Sequence, residues 1–245
     1  MMTQTKIRNR AGESIDTTFH PGSRADALVI LGHGLTGNKD RPQLVALAEG
    51  LAANGWPCLR ISYSGNGMSG GRFEDSCITK GISDLQAVLD MVPDTAKVAY
   101  IGHSMGSAVG VLTAARDLRI RALASLAGMT RTAAFVEREF SEITPGAGFM
   151  WDDGNFPLSQ NFVDDLRQIE STLSAAESMI QPWLLIHGEA DDLVPMEDSR
   201  DAYESANCTK QLLEIAGAGH SFDESSYPQL IEAVDRCLVE WFAAS

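Results

Sequence analysis

The sequence lacks any long hydrophobic run. No stretch among its 245 residues approaches the roughly 18 consecutive apolar residues that a membrane-spanning helix needs. Residues 1–20 are polar and lack the apolar core of a secretory signal. Hydrophobic residues still make up 44% of the chain, without low-complexity tracts. We therefore expect a folded cytoplasmic protein with no membrane partner.

Basic residues are scarce as well. The chain has 19 Lys and Arg against 33 Asp and Glu, a formal net charge of -14 at pH 7. Phosphate backbones and anionic membranes are bound by concentrated basic surfaces, so this balance argues against a nucleic-acid partner. A small-molecule substrate is the expected partner, and a homodimer stays open.

Cysteine is sparse and unpaired in sequence. Cys58, Cys77, Cys208 and Cys237 are far apart and form no Cys-x-x-Cys pair or metal-ligand spacing. In a cytoplasmic protein the ordinary expectation is four buried or half-buried thiols. We predict no metal site and no cofactor.

Short apolar runs alternate with longer amphipathic stretches, a pattern typical of βα units that build a mostly parallel sheet. An antiparallel edge hairpin is expected around residues 15–19, ahead of Pro21-Gly22. The predicted strands are residues 27–31, 56–62, 98–102, 122–127, 183–187 and 211–215. The predicted helices are residues 42–54, 78–92, 105 to about 118, and 227–242.

The segment Gly102-His103-Ser104-Met105-Gly106 matches the Gly-x-Ser-x-Gly pattern, and so does Gly67-Met68-Ser69-Gly70-Gly71. A nucleophile elbow needs a strand directly before the serine and a helix directly after it. Ser104 follows the predicted strand without a gap and precedes a run of small residues, whereas Ser69 lies in a glycine-rich loop. The context therefore predicts Ser104 as a nucleophile.

A serine nucleophile needs a histidine to take its proton and a carboxylate to orient that histidine. Asp191 follows the C-terminal end of a predicted strand, and open parallel sheets build their sites at those ends. Asp191 is the predicted acid, with Asp192 as the next choice. One or both acids could instead cap the helix near Glu197. His220, in a loop between the last predicted strand and the last helix, is the predicted general base.

The oxyanion of acyl transfer needs preorganised N–H donors. We predict the backbone of Met105, after the nucleophile, and of Leu35, in the glycine-rich loop at residues 32–37. A purely structural turn is the alternative for that loop. His33, Gly34 and His103 are expected beside the bound substrate, the two histidines orienting backbone or packing against the site. Of the remaining histidines, His187 is expected to pack at a strand end and His20 to lie in a surface turn.

Together these segments resemble the α/β-hydrolase superfamily, and most closely its small bacterial esterases related to cinnamoyl and feruloyl esterases. The matching features are His33 to Lys39, Arg60 to Gly71, the Ser104 elbow, His187 to Pro195 and Gly219-His220-Ser221. The resemblance implies a single α/β-hydrolase domain over residues 1–245. It implies a mostly parallel central sheet with helices on both faces and a small cap inserted at about residues 129–180.

The cap region is rich in aromatic residues, and they either line an apolar acyl or aryl pocket or pack as the core of the cap. They are Phe135, Phe140, Phe149, Trp151, Phe156 and Phe162. Substrate contacts are assigned to Phe135, Phe149, Trp151 and Phe156. Relatives that bind hydroxycinnamates often carry a cap tyrosine, and residues 129–180 have none.

The leading hypothesis is a cofactor-free carboxylic ester hydrolase that works through an acyl-enzyme. A thioesterase, a monoacylglycerol lipase and a serine aminopeptidase use the same triad and stay open. The lack of an interfacial amphipathic segment counts against a lipase, and a serine at the elbow counts against a dehalogenase. A non-catalytic small-molecule binding protein on the same fold is a further alternative.

Overall fold

The computed structural model describes residues 6–243; the first five residues of the polar N-terminal segment lie outside this range. Within it, seven strands form one sheet in the order β1-β3-β2-β4-β5-β6-β7. Only β1 is antiparallel to its neighbour. The strands are β1 (Asp16–His20), β2 (Ala27–Gly32), β3 (Cys58–Ser62), β4 (Lys97–His103), β5 (Ile120–Leu126), β6 (Trp183–Gly188) and β7 (Lys210–Ile215). The predicted α/β-hydrolase fold is confirmed.

The central strands are buried on both faces, as their nearly continuous apolar sequences predict for a parallel sheet. Alternate residues of β2 belong to different cores, because successive side chains point to opposite faces of a sheet. Leu28 and Ile30 pack into one hydrophobic cluster, and Val29 and Leu31 pack into the other. The sheet therefore separates two cores, each covered by helices.

The helices are divided between the two faces. Helices α1 (Pro42–Ala53) and α8 (Tyr227–Ala243) cover one face. Helices α2 (Ile78–Leu89), α3 (Met105–Ala114) and α7 (Met196–Ser205) cover the other. None of the helices in the described part of the chain combines the length and the hydrophobicity that crossing a bilayer requires.

Two local predictions were wrong. The N-terminal strand does not form a hairpin with the strand that follows it; β1 pairs with β3, from Asp16 opposite Ser62 to His20 opposite Cys58. The third strand begins at Cys58 instead of Trp56, because Pro57 has no N–H to give to a ladder. The edge position and antiparallel direction of the first strand are as expected.

The segment between β5 and β6 contains no strand of the sheet, as its sequence indicates. It carries helices α4 (Thr132–Phe140), α5 (Gln160–Ile169) and α6 (Leu173–Ser178), with a 3₁₀ turn at Met150–Asp152. Its apolar side chains, including Phe135, Phe140 and Phe162, belong to the same hydrophobic cluster as α2 and α3. The segment thus extends one core of the sheet.

One buried carboxylate ties three parts of the fold together. Asp84, fully buried on α2, accepts hydrogen bonds from the N–H and the hydroxyl of Ser64, both at 2.7 Å, and from Nδ2 of Asn9 at 2.8 Å. Burial raises the pKa of Asp84, and the donors around it act in the opposite direction. The loop after β3 and the N-terminal segment are therefore both anchored to α2.

We predict that Asp84→Asn lowers the free energy of unfolding by about 2–3 kcal/mol. In one orientation the NH₂ of the new amide faces the Ser64 N–H, so two donors oppose each other. In the other orientation it faces the donor Nδ2 of Asn9, whose own oxygen already accepts from Ala11 and Glu13. Urea unfolding at pH 7 measures the loss. Asp94→Asn, at an exposed site, is the control and should change stability by less than about 0.5 kcal/mol; equal effects would contradict the prediction.

Candidate active site

Ser104 stands on a sharp turn between β4 and α3. Its backbone has φ 53° and ψ -117°, a conformation that non-glycine residues rarely adopt. The turn requires glycine on both sides: a Cβ on Gly102 would lie 2.3 Å from the carbonyl oxygen of Gly106, and one on Gly106 would lie 2.6 Å from that of His33. The spacing of the motif is thus a steric requirement of the turn.

The second Gly-x-Ser-x-Gly copy has a structural role. The Ser69 hydroxyl donates a hydrogen bond to the carbonyl of Ser62 at 2.6 Å and accepts one from the N–H of Asp16 at 2.8 Å. Its oxygen therefore fixes the loop after β3 against β1. Ser69 is a loop residue, as its sequence context indicates.

The predicted base and acid are in direct contact. Nδ1 of His220 lies 2.8 Å from Oδ2 of Asp191. Because an ionised carboxylate can only accept, Nδ1 carries the proton, and the lone pair of Nε2 is left free to act as a base. Within residues 6–243 no hydrogen bond joins Nε2 to the Ser104 hydroxyl, although both side chains line one cavity. Such contacts often tighten only when substrate binds.

The Asp191 carboxylate is surrounded by donors. Its Oδ1 accepts from the N–H groups of Leu193 and Val194, both at 2.9 Å. Burial acts to raise the pKa of Asp191, yet hydrogen bonds from His187 and His220 hold it well below its ordinary value. Asp191 therefore remains ionised across the neutral range, as a residue that orients His220 must.

His187 is more than the strand-end packing residue that the sequence predicts. Its fully buried ring places Nε2 3.1 Å from Oδ2 of Asp191 and 3.0 Å from the carbonyl of Val194, while Nδ1 lies 2.7 Å from the Ser199 hydroxyl. A second histidine thus contacts the carboxylate that holds His220. The only sequence signal was its position four residues before Asp191.

His103 and His33 contact backbone groups through hydrogen bonds, which is one of the two roles predicted for them. Nε2 of His103 lies 2.9 Å from the carbonyl oxygen of His220, so the residue next to Ser104 anchors the loop that carries His220. Nδ1 of His33 donates to the carbonyl of Gly34 at 2.7 Å, and Nε2 accepts from the N–H of Tyr63 at 3.0 Å. His33 is fully buried and does not line the cavity, which corrects its expected place beside the substrate.

The two predicted oxyanion donors lie next to Ser104. Gly34 approaches Ser104 so closely that an added Cβ would lie 2.9 Å from the Cβ of Ser104. No hydrogen bond to the N–H of the following residue, Leu35, is present in the described part of the chain. Met105 is the first residue of α3, a position whose N–H a helix leaves unpaired. Both N–H groups are available to a ligand.

Ser104 and His220 open into a cavity of about 480 Å³. Of the residues predicted to contact substrate, Gly34, His103, Phe135 and Trp151 line it, as does Leu35. Asp192, the second choice for the acid, also lines it. No role was predicted for the other lining residues, most of which are polar: Thr36, Arg41, Gln43, Glu139, Leu193 and Ser221. The cavity is therefore less apolar than the aromatic content of residues 129–180 suggested.

The aromatic residues of that segment divide between the two roles left open. Phe135 and Trp151 line the cavity. Phe140 is buried and packs edge-on against Phe135, Phe162 and the exposed Trp151. The assignments of Phe149 and Phe156 to substrate contacts were wrong. Phe149 is exposed outside the cavity, and Phe156 packs against Phe73 at a ring distance of 5.1 Å.

Comparison with known proteins identifies the same fold. The profile of the alpha/beta hydrolase fold family matches residues 27–146. The structure is similar to ferulic acid-bound Est1E from Butyrivibrio proteoclasticus, with a TM-score of 0.83 and 26% identity over 98% of this chain and 99% of that one.

Two mycobacterial proteins are similar in sequence. Esterase LipQ of Mycobacterium tuberculosis is 26% identical over 220 residues, which cover 83% of this chain and 52% of that protein. An uncharacterized protein of the same species is 27% identical over 227 residues, which cover 90% of this chain and 73% of its own length.

The buried histidines predict a loss of stability in mild acid. Burial lowers the pKa of His33 to about 4. A proton on Nε2 would replace the acceptor of the Tyr63 N–H with a second donor. Below pH 6.5 the unfolded chain takes up a proton that the folded protein takes up only near pH 4. The free energy of unfolding should therefore fall by about 2 kcal/mol through His33 between pH 7 and pH 4.5.

Denaturant unfolding at pH 7.0, 6.0, 5.0 and 4.5 measures this change in the wild type and in His33→Gln. The variant should be less stable at pH 7 but should have a flatter pH dependence. His103, whose pKa burial lowers to about 3, retains its own contribution in both proteins. Identical pH dependences would contradict the assignment.

Proposed function

We propose that the chain is a serine hydrolase of the α/β-hydrolase superfamily that cleaves carboxylic esters through an acyl-enzyme intermediate. The main support is the contact of His220 with the buried Asp191 at 2.8 Å, together with the cavity that His220 shares with Ser104 on its strained turn. The esterase name of LipQ and the ferulic acid bound to Est1E support the ester class.

In the proposed acylation step, Ser104 Oγ forms a bond to the carbonyl carbon while its proton moves to Nε2 of His220. The imidazolium that results is stabilised by the ionised Asp191. Collapse of the tetrahedral intermediate breaks the bond to the alcohol oxygen, and His220 returns the proton to that leaving group. The acyl group then remains on Ser104.

Deacylation repeats these transfers with water in place of the serine. Water gives a proton to His220 and attacks the acyl carbon, after which Ser104 leaves with that proton and the acid is released. In both steps the oxyanion faces the N–H groups of Leu35 and Met105, and loss of one such donor typically costs about 3 kcal/mol of barrier stabilisation. No cofactor enters this scheme.

We further propose that residues 1–245 form one domain and that residues 129–180 act as its cap. The cap shares a hydrophobic cluster with the sheet and supplies Phe135, Glu139 and Trp151 to the cavity. These side chains would contact the part of the substrate farthest from the sheet. The same triad serves thioesters, monoacylglycerols and amides, which a substrate panel separates.

Ser104→Ala should reduce hydrolysis of 4-nitrophenyl butyrate to below a thousandth of the wild-type rate, because the covalent intermediate can no longer form. Steady-state kinetics measure this, with Ser69→Ala as the matched control in the second Gly-x-Ser-x-Gly copy. The control should keep its activity whenever it folds, which circular dichroism checks.

A fluorophosphonate probe tests the same assignment without a chosen substrate. The wild type should acquire one covalent adduct on Ser104, visible by mass spectrometry, and Ser104→Ala should acquire none. A folded wild type without an adduct would point to a binding protein, and more than a tenth of wild-type activity in Ser104→Ala would rule out this nucleophile.

His187→Leu should lower kcat about tenfold with little change in KM, because Asp191 loses one donor but keeps His220 and two backbone N–H groups. His187→Gln, which retains an N–H donor, should recover part of the loss. A purely structural role for His187 would instead appear as equal losses in both variants that follow their stability. Steady-state kinetics and thermal unfolding of the same preparations distinguish the two results.

A further inference from the structure

One wall of the cavity is built by the residues that begin α1. Thr36, Arg41 and Gln43 line the cavity beside the proposed oxyanion loop. Arg41 immediately precedes α1, and Gln43 is its second residue. Nothing in the proposed acylation or deacylation uses these side chains, although they lie in the same cavity as Ser104.

Gln43 carries an unpartnered carboxamide. Its side chain is only 2% exposed, and its Nε2 is buried without a hydrogen-bond partner anywhere in residues 6–243. Buried amide groups in folded proteins are nearly always paired, since an orphaned donor or acceptor costs free energy. An unpaired amide in the lining of a cavity is therefore a group that a ligand can satisfy.

Arg41 adds a positive charge to the same wall. Its guanidinium donates to the carbonyl of Thr36 at 3.0 Å, and no carboxylate within the described residues pairs with it. The neighbouring Asp40 pairs with Arg60 at 2.8 Å and with Lys39 at 2.9 Å. The first turn of α1 contains no acidic residue, so the positive end of this 12-residue helix is not offset there.

The cavity lining also contains two carboxylates. Glu139 accepts a hydrogen bond from Nε1 of Trp151 at 3.2 Å and forms an ion pair with Arg138 at 3.0 Å, which offsets its charge. Asp192 is exposed in the same lining. An anionic group in this cavity is therefore attracted to Arg41 on the α1 wall, whereas the carboxylate of Asp192, unpaired within the described residues, repels it.

On these observations we propose that the α1 wall is a carboxylate subsite. The ester substrate carries a free carboxylate, which accepts hydrogen bonds from the guanidinium of Arg41 and the carboxamide of Gln43. This inference rests on the proposed ester hydrolysis and narrows its substrates to acidic esters. The carboxylate belongs either to the acyl chain or to the alcohol, and the two arms of the experiment separate these sources.

The acyl arm compares 4-nitrophenyl hydrogen glutarate with 4-nitrophenyl valerate, and the alcohol arm compares 4-carboxyphenyl butyrate with phenyl butyrate. In one arm the ratio of kcat/KM for the acidic ester to that for the neutral ester should fall at least tenfold in Arg41→Gln. Arg116→Gln, at an exposed arginine outside the cavity, should leave both ratios within twofold of wild type.

Gln43→Leu supplies a second and independent readout. Removal of an unpaired buried amide should raise Tm by about 2–4 °C, while the same acidic-to-neutral ratio falls at least threefold. A residue with only a packing role would not gain stability and lose selectivity together. The expected result is both changes in one variant, and a Gln43→Leu protein with the wild-type ratio contradicts the subsite.

The failures of the two proposals can be told apart. If the neutral esters are hydrolysed and the acidic-to-neutral ratios do not change in Arg41→Gln, the carboxylate subsite is wrong and ester hydrolysis stands. If no ester is hydrolysed and the fluorophosphonate probe does not label Ser104, the proposed function itself is wrong. Ratios that fall equally in Arg41→Gln and Arg116→Gln report the net charge of the protein and also overturn the subsite.

Discussion

The geometry of the site depends on one backbone turn, in which Ser104 takes a positive φ between two glycines. Hydrogen bonds from the surrounding segments stabilise the strained backbone of this turn. The N–H of Ser104 binds the carbonyl of Leu126 at 2.9 Å, and its carbonyl accepts from Met129. The hydroxyl of Tyr100 binds the carbonyl of Gly106 at 2.9 Å. The turn thus lies at the centre of the sheet, where neighbouring strands determine its shape.

A chain of hydrogen bonds extends this constraint to the remaining proposed catalytic residues. His103 contacts the carbonyl of His220, and His220 donates to Asp191. Asp191 is in turn held by two backbone N–H groups of its own loop and by His187. Three loops that come from distant parts of the sequence are therefore aligned by a few polar contacts at one edge of the sheet.

The strands and the elbow could be predicted from sequence because each depends on local patterns. Apolar runs mark β2, β4 and β6, and a steric rule fixes the glycines around Ser104. The pairing of β1 with β3 could not be predicted, since either neighbouring strand would bury the same alternating residues. The acid and the base were predicted from their order along the chain and their positions after strands.

The lining of the cavity was harder to predict. Gln43 follows Pro42 at the start of an otherwise apolar helix face, and no local pattern shows that its amide lacks a partner. Phe149 and Phe156 have the same composition signal as Phe135, but backbone turns around Gly146 and the 3₁₀ segment direct them elsewhere. Such outcomes depend on tertiary packing, which short-range patterns do not encode.

The segment between β5 and β6 leaves and re-enters the sheet at adjacent strands, since these two strands pair directly from Leu123 opposite Trp183 to Leu126 opposite Ile186. Neighbouring strands are about 5 Å apart, and the entropy of closing a loop grows only slowly with its length. The length of this region can therefore vary without disrupting the sheet, as long as the hydrogen bond from Met129 to the carbonyl of Ser104 is kept. One contiguous stretch of chain thus supplies Phe135, Glu139 and Trp151 to the cavity without interrupting the sheet.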